Sequence, residues 1–172
     1  MPELLLLRPE QHGFVPNNPS LPVMIYRDAF AVGDSDLAAA MEARFEANGW
    51  PPQWRDGIYD FHHYHAAGHE ILGIAAGEVD LVIGGEGGEA ISAKAGDVLL
   101  LPAGTGHCRL SASEDLLVIG AYPPGQSGDI MREAPSVSQR ATMAQLAFPR
   151  LDPVMGEDGP LSTHWASGPL ER

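Results

Sequence analysis

Cysteine is all but missing. The single one, Cys108, cannot form an intrachain disulfide, so the fold has to hold by packing, and no oxidising compartment is implied. Positive charge is scarce too: 10 Lys and Arg stand against 23 Asp and Glu, for a net charge of −13. A nucleic-acid binder needs a basic face to neutralise phosphates, and an anionic membrane surface makes the same demand. Both partners are therefore excluded from the reading, and the acidity is taken as a device for solubility. Long apolar runs are absent, and none approaches the ~20 residues of a membrane span. The start, Met1-Pro2-Glu3 and four leucines, has an acid where a secretory leader needs basic residues, so a cytoplasmic location is expected. There is no internal repeat and no helix–turn–helix pattern, which disfavours a transcription factor. The glycine-rich run Gly84–Gly88 lacks the Gly-Lys-Ser/Thr ending of a phosphate loop and reads as a hairpin turn.

What the chain does have is glycine (20), proline (15) and a hydrophobic fraction of 44%, the mark of a globular protein rich in turns and strands. Its 172 residues suit one domain, 1–172, with a sizeable core. Strands are expected at 3–8 and 23–30, the latter with a break near Asp28. More follow at 57–65, 70–76, 78–84, 89–94, 97–102, 107–111 and 115–122, each pair separated by Gly, Pro or short polar residues. Many short strands at close spacing predict an all-β sandwich or barrel, with its core at about 55–122. One clear helix is expected near 36–48. Asp34-Ser35-Asp36 offers its N-cap, Leu37, Met41 and Phe45 form its apolar stripe, and Asn48-Gly49 ends it. Ser138 to Ala147 offers a second, short helix. The rest of the tail, 123–172, reads as irregular, with Leu161 and Trp165 packing onto the body. The segment Trp50–Trp54 is read as a core plug in preference to a lid.

The chemistry concentrates between Gly57 and Gly77. His63 and His65 are two residues apart, so a strand would put them on one face, and Glu70 follows five residues later on a returning strand. His107, after a second glycine-rich turn, is the fourth candidate. Three imidazoles and a carboxylate would form a divalent-metal site suited to Fe, Mn, Ni, Co or Zn, with room left for water or substrate; the other reading is a set of satisfied core histidines. Alternation places Tyr59 and Phe61 with His63, and Arg109 and Ser111 with His107. It sends His62 and Cys108 the other way, Cys108 as a buried, inert thiol. Tyr59, Phe61, Leu72 and Ser111 are thus the expected pocket lining, and Leu72, Ile74, Val79, Leu81 and Ile83 the apolar interior. Two further residues are candidates for catalysis. His69 reads as a proton shuttle, a donor behind a ligand or a substitute ligand, with a structural turn histidine as the other reading. Arg109 reads as an anchor for a carboxylate or enolate, or as the partner of Glu70 or another barrel acid.

These residues resemble the cupin superfamily. The first cupin motif, G-x5-H-x-H-x4-E-x6-G, is met at Gly57, His63, His65, Glu70 and Gly77. The second, G-x5-P-x-G-x2-H-x3-N, is met at Gly96, Pro102, Gly104 and His107, with Ser111 in place of Asn. Trp54-Arg55, the stretch from Gly57 to Gly73, and the tail with Asp152-Pro153-Val154 and Gly159-Pro160-Leu161 resemble the YjlB-type single-domain bacterial cupins. The resemblance implies a double-stranded β-helix, the jelly-roll barrel, and a divalent metal on three His and one Glu. It implies no particular reaction. The expected function is a metalloenzyme of oxygenase or isomerase type acting on a small organic molecule. The alternative is a non-catalytic module that binds a small molecule or a metal. A third reading, an interaction protein, rests on the N-terminal strand, through which a homodimer would form by strand exchange or sheet extension.

Overall fold

The computed structural model describes residues 1–33 and 35–170. Asp34, one of the candidate helix caps, lies outside the described residues. The strands are β1 (Glu3–Leu7), β2 (Val23–Arg27), β3 (Pro52–Asp56), β4 (Glu70–Ala76), β5 (Glu78–Ile83), β6 (Glu89–Lys94), β7 (Val98–Leu101), β8 (His107–Ala112) and β9 (Leu117–Ala121). They form a six-stranded sheet in the order β1-β2-β7-β4-β9-β3 and a three-stranded sheet in the order β6-β5-β8, with every pairing antiparallel. The two sheets face each other and make the expected jelly roll. Between them lies an apolar interior that includes Val23, Ile25, Leu72, Ile74, Val79, Leu81, Ile83, Leu99 and Leu101.

The large sheet is buried on its other face as well. That second layer holds Met24, Tyr26, Ile71, Val98, Leu100 and Ile119 against Met41, Phe45, Trp50, Phe148 and Trp165. A strand covered on both faces needs no polar alternation, which is why β7 reads Val-Leu-Leu-Leu. The cover comes from α1 (Leu37–Ala47) and from the C-terminal segment. Asp36 caps α1 by accepting a bond from the Ala39 amide at 3.1 Å. Ala38, Met41 and Phe45 are its buried residues, and Leu37 packs at the edge of the cluster. Gly73 sits where α1 crosses β4: a Cβ there would lie 3.0 Å from both the Met41 sulfur and the Phe45 ring, so only glycine lets the helix come this close.

Three expectations need correction. The strand placed at 57–65 instead runs over Pro52–Asp56, where Trp54 pairs with Gly120 and Arg55 with Ile119. Residues 57–65 lack a continuous ladder and are held by isolated contacts, such as the His63–His107 and Tyr64–Met131 bridges. The tail holds α2 (Val137–Gln145, with a Ser136–Gln139 capping box) close to the short helix expected at Ser138–Ala147, but the part read as irregular also forms the short α3 (Leu161–His164). Trp50 is the plug, fully buried with its indole N–H donating to the Leu151 carbonyl at 3.0 Å, but Trp54 is not and goes elsewhere.

Asp152 ties the tail to the sheet. Its Oδ1 accepts from the Val154 and Met155 amides, both at 2.9 Å. Its Oδ2 accepts from the Tyr26 hydroxyl at 2.7 Å and the Leu161 amide at 3.1 Å. Replacing Asp152 with Ala strands four donors in a dry interior, each a penalty of order 1 kcal/mol or more. The Asp152→Ala variant is expected to lose at least about 3 kcal/mol of unfolding free energy in a urea titration.

Candidate metal centre

His63 and His107 face each other across a two-bond backbone bridge. The His63 amide donates to the His107 carbonyl at 3.3 Å, and the His107 amide returns the bond at 2.9 Å. Their rings are set in the same way. Each places Nδ1 on the carbonyl two residues back, His63 on Phe61 and His107 on Thr105, both at 3.0 Å. His65 gives its Nδ1–H to the Asp129 carbonyl at 2.5 Å. Asp129 in turn holds the local turn, its Oδ1 accepting from the amides of Ala66 and Ala67. With every Nδ1 committed to a carbonyl, the Nε2 atoms are left for the cavity, the arrangement a metal-binding histidine requires. Among the described residues, His63, His65 and His107 are all buried and carry ligand atoms within 4.8 Å of one another.

Glu70 stands at the head of β4, 2% exposed. Its Oε2 lies 3.0 Å from His65 Nε2 and accepts from the Tyr122 hydroxyl at 2.5 Å. Its Oε1 lies 3.2 Å from His107 Nε2 yet has no aligned hydrogen-bond partner. The carboxylate thus borders two of the three imidazoles and lies outside the set that all three share. Burial alone would raise the Glu70 pKa, but His65 and His107 hold it well below the usual carboxylate range. Burial alone would lower His65, but the Glu70 carboxylate outweighs it and lifts this imidazole to about 9. His63 is pushed down to about 3 by burial and by His107, which outweigh the more weakly felt Glu70 carboxylate.

These residues fit a divalent cation. One ring nitrogen from each of the three lies within 4.8 Å of the other two, and Oε1 is a buried acceptor without a donor. The separations of 3.0 and 3.2 Å between carboxylate oxygens and imidazole nitrogens match neighbouring ligands on one ion, since bonds of ~2.1 Å at right angles set donors ~3 Å apart. Without a metal, a proton on His65 takes the place between Nε2 and Oε2.

A cavity of about 330 Å³ opens onto the histidines and Glu70. Tyr59, Leu72 and Arg109 line it as expected from their spacing. Phe61 does not line it; its ring stacks on Tyr59 at 4.8 Å and edges His63, forming part of the rim. Ser111 is turned out. Leu81 pairs with Arg109 and the adjacent Asp80 with Ser111, so Leu110 is an extra residue in β8. That bulge flips the alternation, and Ser111 Oγ donates to Asp80 Oδ2 at 3.1 Å on the outer surface. Arg109 does not pair with Glu70; its nearest acid is Asp60 at 3.8 Å.

His69 is displaced as an acid–base group. It lies on the opposite face of the sheet from Glu70, fully buried against Phe148 and Trp165. Its Nδ1 accepts from the Ala103 amide at 2.9 Å and its Nε2 donates to the Leu146 carbonyl at 3.1 Å. Burial lowers its pKa to about 4, which keeps it neutral. This is the geometry of a structural histidine, and its one-residue alternation with Glu70 sends it to the other face.

Two residues that the motifs do not point to complete the site. Tyr122 follows β9 and sits beside Glu70, one step beyond the Ile71–Ala121 pair. Burial and the Glu70 carboxylate push its phenol far above the ordinary range, so it remains a donor. Trp54 donates its indole N–H to the Tyr122 oxygen at 2.9 Å and forms a wall of the cavity. It lies flat over Gly120, where a Cβ would come within 1.9 Å of the ring. The result is a directed chain of hydrogen bonds from Trp54 through Tyr122 to Glu70.

Among known proteins, no family model matches the chain. The uncharacterized protein YjlB of Bacillus subtilis (strain 168) is 37% identical over 155 residues, which span 89% of this chain and 91% of that protein. A DUF861-family protein from Thermotoga maritima aligns over 57% of this chain and 96% of its own, with 21% identity and a TM-score of 0.36, too slight a likeness to build on.

Two outcomes are expected. Tyr122→Phe removes the donor to Oε2 and the acceptor for Trp54, and should weaken Zn(II) or Mn(II) binding about ten-fold in a chelator competition. His65 carries a proton below about pH 9 that a metal must displace. Metal binding at pH 7 should therefore release about one proton per ion, and affinity should rise with pH up to that point. Calorimetry in buffers of different ionisation enthalpy reads the proton directly; no release would contradict the charge assignment.

Proposed function

We propose, from the premise that this chain belongs to the YjlB-type cupins, that it is a metal-dependent enzyme acting on a small organic molecule held beside His63, His65 and His107. The observation that carries this reading is the set of three buried imidazoles with Nδ1 spent on carbonyls and Nε2 unspent, opening onto a cavity. A divalent ion bound there supplies Lewis acidity or, for a redox-active metal, oxygen chemistry.

The chain's own residues supply the remainder. Phe61, Thr105 and Asp129 fix the ring orientations through their carbonyls. Tyr122 and His65 hold Oε2 of Glu70, so that Oε1 is the oxygen left for the ion. Trp54, Ile58 and Leu72 give the cavity an apolar wall that excludes water from one side. With His69 engaged on the other face of the sheet, the cavity wall carries no imidazole outside the triad for proton transfer. That disfavours an isomerase that relies on a separate histidine base, while Asp56 remains a carboxylate on the wall. The same observation favours a second reading, a binding module that holds its ligand unchanged.

Elemental analysis of the purified protein tests the proposal. About one divalent ion per chain is expected, and His63→Ala or His107→Ala should lower the content at least about ten-fold. Wild-type protein without metal, or variants that retain it, would sink the reading. A ligand recovered unchanged after incubation with metal-loaded protein and O2 would favour the binding module.

A further inference from the structure

We propose that the cavity is built for a small organic carboxylate, held by the Arg109 guanidinium at one end and facing the histidine triad at the other. This names the substrate class for the function proposed above and rests on that reading for the role of the triad.

Positive charge is scarce in this chain, which has 10 basic residues against 23 acidic ones, so a guanidinium in the cavity wall calls for an explanation. Its position is rigid. Arg109 follows His107 by two residues on β8, so both face the same space, and its amide donates to the Tyr59 carbonyl at 2.9 Å. The guanidinium is also unspent. Its side chain is 37% exposed, and the contact with Asp60 is 3.8 Å, too long for a hydrogen bond, to an acid that is itself 71% exposed. A solvated pair of this kind contributes little and is readily exchanged. Among the described residues, no hydrogen bond from the Arg109 side chain is formed.

The acids of the cavity do not answer this charge. Both oxygens of Glu70 lie against the imidazoles, and Oε2 also accepts from Tyr122. Asp56 turns Oδ1 back onto the Gly57 amide at 2.8 Å. What remains is a forked donor that matches a carboxylate with two parallel bonds, next to apolar and aromatic walls that strengthen an ion pair by keeping water away. A volume of about 330 Å³ is at the small end of ligand sites and suits a compact acid. A monoanion also fits better than a phosphate dianion beside the negative Glu70.

Pyruvate, its uncharged counterpart pyruvamide, and methyl phosphate are the probes, titrated calorimetrically into Mn(II)-loaded and into chelator-treated protein. Wild type should bind pyruvate in preference to both other compounds. Arg109→Gln should weaken pyruvate binding about ten-fold or more in at least one preparation and leave pyruvamide unaffected. Arg109→Lys should restore only part of the loss, since a point charge replaces the fork. Equal pyruvate affinity of wild type and Arg109→Gln in both preparations overturns the proposal, as does preference for methyl phosphate or an absence of pyruvate binding. Metal content, measured on the same samples, separates the two readings. A metal-free protein that still needs Arg109 for pyruvate defeats the metal assignment alone; a metal-loaded protein indifferent to Arg109 defeats this one alone.

Discussion

A carboxylate buried to 2% exposure has to be compensated, and the compensation of Glu70 organises the structure around it. Its charge is met by His65 and the Tyr122 hydroxyl on one oxygen and approached by His107 on the other. Those partners arrive from the 57–65 segment, from the end of β9 and from the start of β8. The β4–β9 ladder brings Tyr122 alongside, and the backbone bridge between His63 and His107 closes the opposite side. Each partner is in turn oriented by a group behind it: Trp54 for Tyr122, Asp129 for His65, Thr105 for His107. A buried anion among imidazoles, with one oxygen unpaired, is a local demand for positive charge, and a proton or a divalent ion meets it.

The head of β4 also separates two kinds of environment. Glu70 faces the cavity and His69 faces the aromatic layer, although they are neighbours in the chain. His69 has both ring nitrogens engaged by backbone, where burial keeps it neutral, so it braces the wall on which Glu70 is mounted. The C-terminal segment that supplies Phe148 and Trp165 is therefore a support for the site from behind. Asp152 fastens that support to Tyr26 of β2.

Much of this was legible in the residue pattern. The short strands from Glu70 to Ala121 fall close to where glycine, proline and alternation put them, because their turns are local. The helix cap and apolar stripe of α1 are local as well. The errors have two sources. Residues 57–65 have strand-like composition, but a strand exists only where a neighbouring ladder accepts its backbone, and β9 takes 52–56 instead. Ser111 was placed by strict alternation, and a single bulge after Arg109 reverses it. Tyr122, Trp54 and Asp129 could not be found by motif, since each meets its partner across a separation of 52, 68 or 64 residues.

By itself, the sequence determined the donor set and its local geometry: two histidines at a spacing that shares a face, an acid at the head of the returning strand, and a third histidine at the start of another. Spacing sufficed because side-chain direction along an extended backbone follows from chemistry within a few residues. Only the tertiary structure decided which nitrogen of His65 faces the cavity, which oxygen of Glu70 is unsatisfied, that His69 is out of reach and that Arg109 stands in the wall 3.8 Å from Asp60. Those outcomes depend on hydrogen-bond partners brought in from distant segments, and on which face of a sheet is dry.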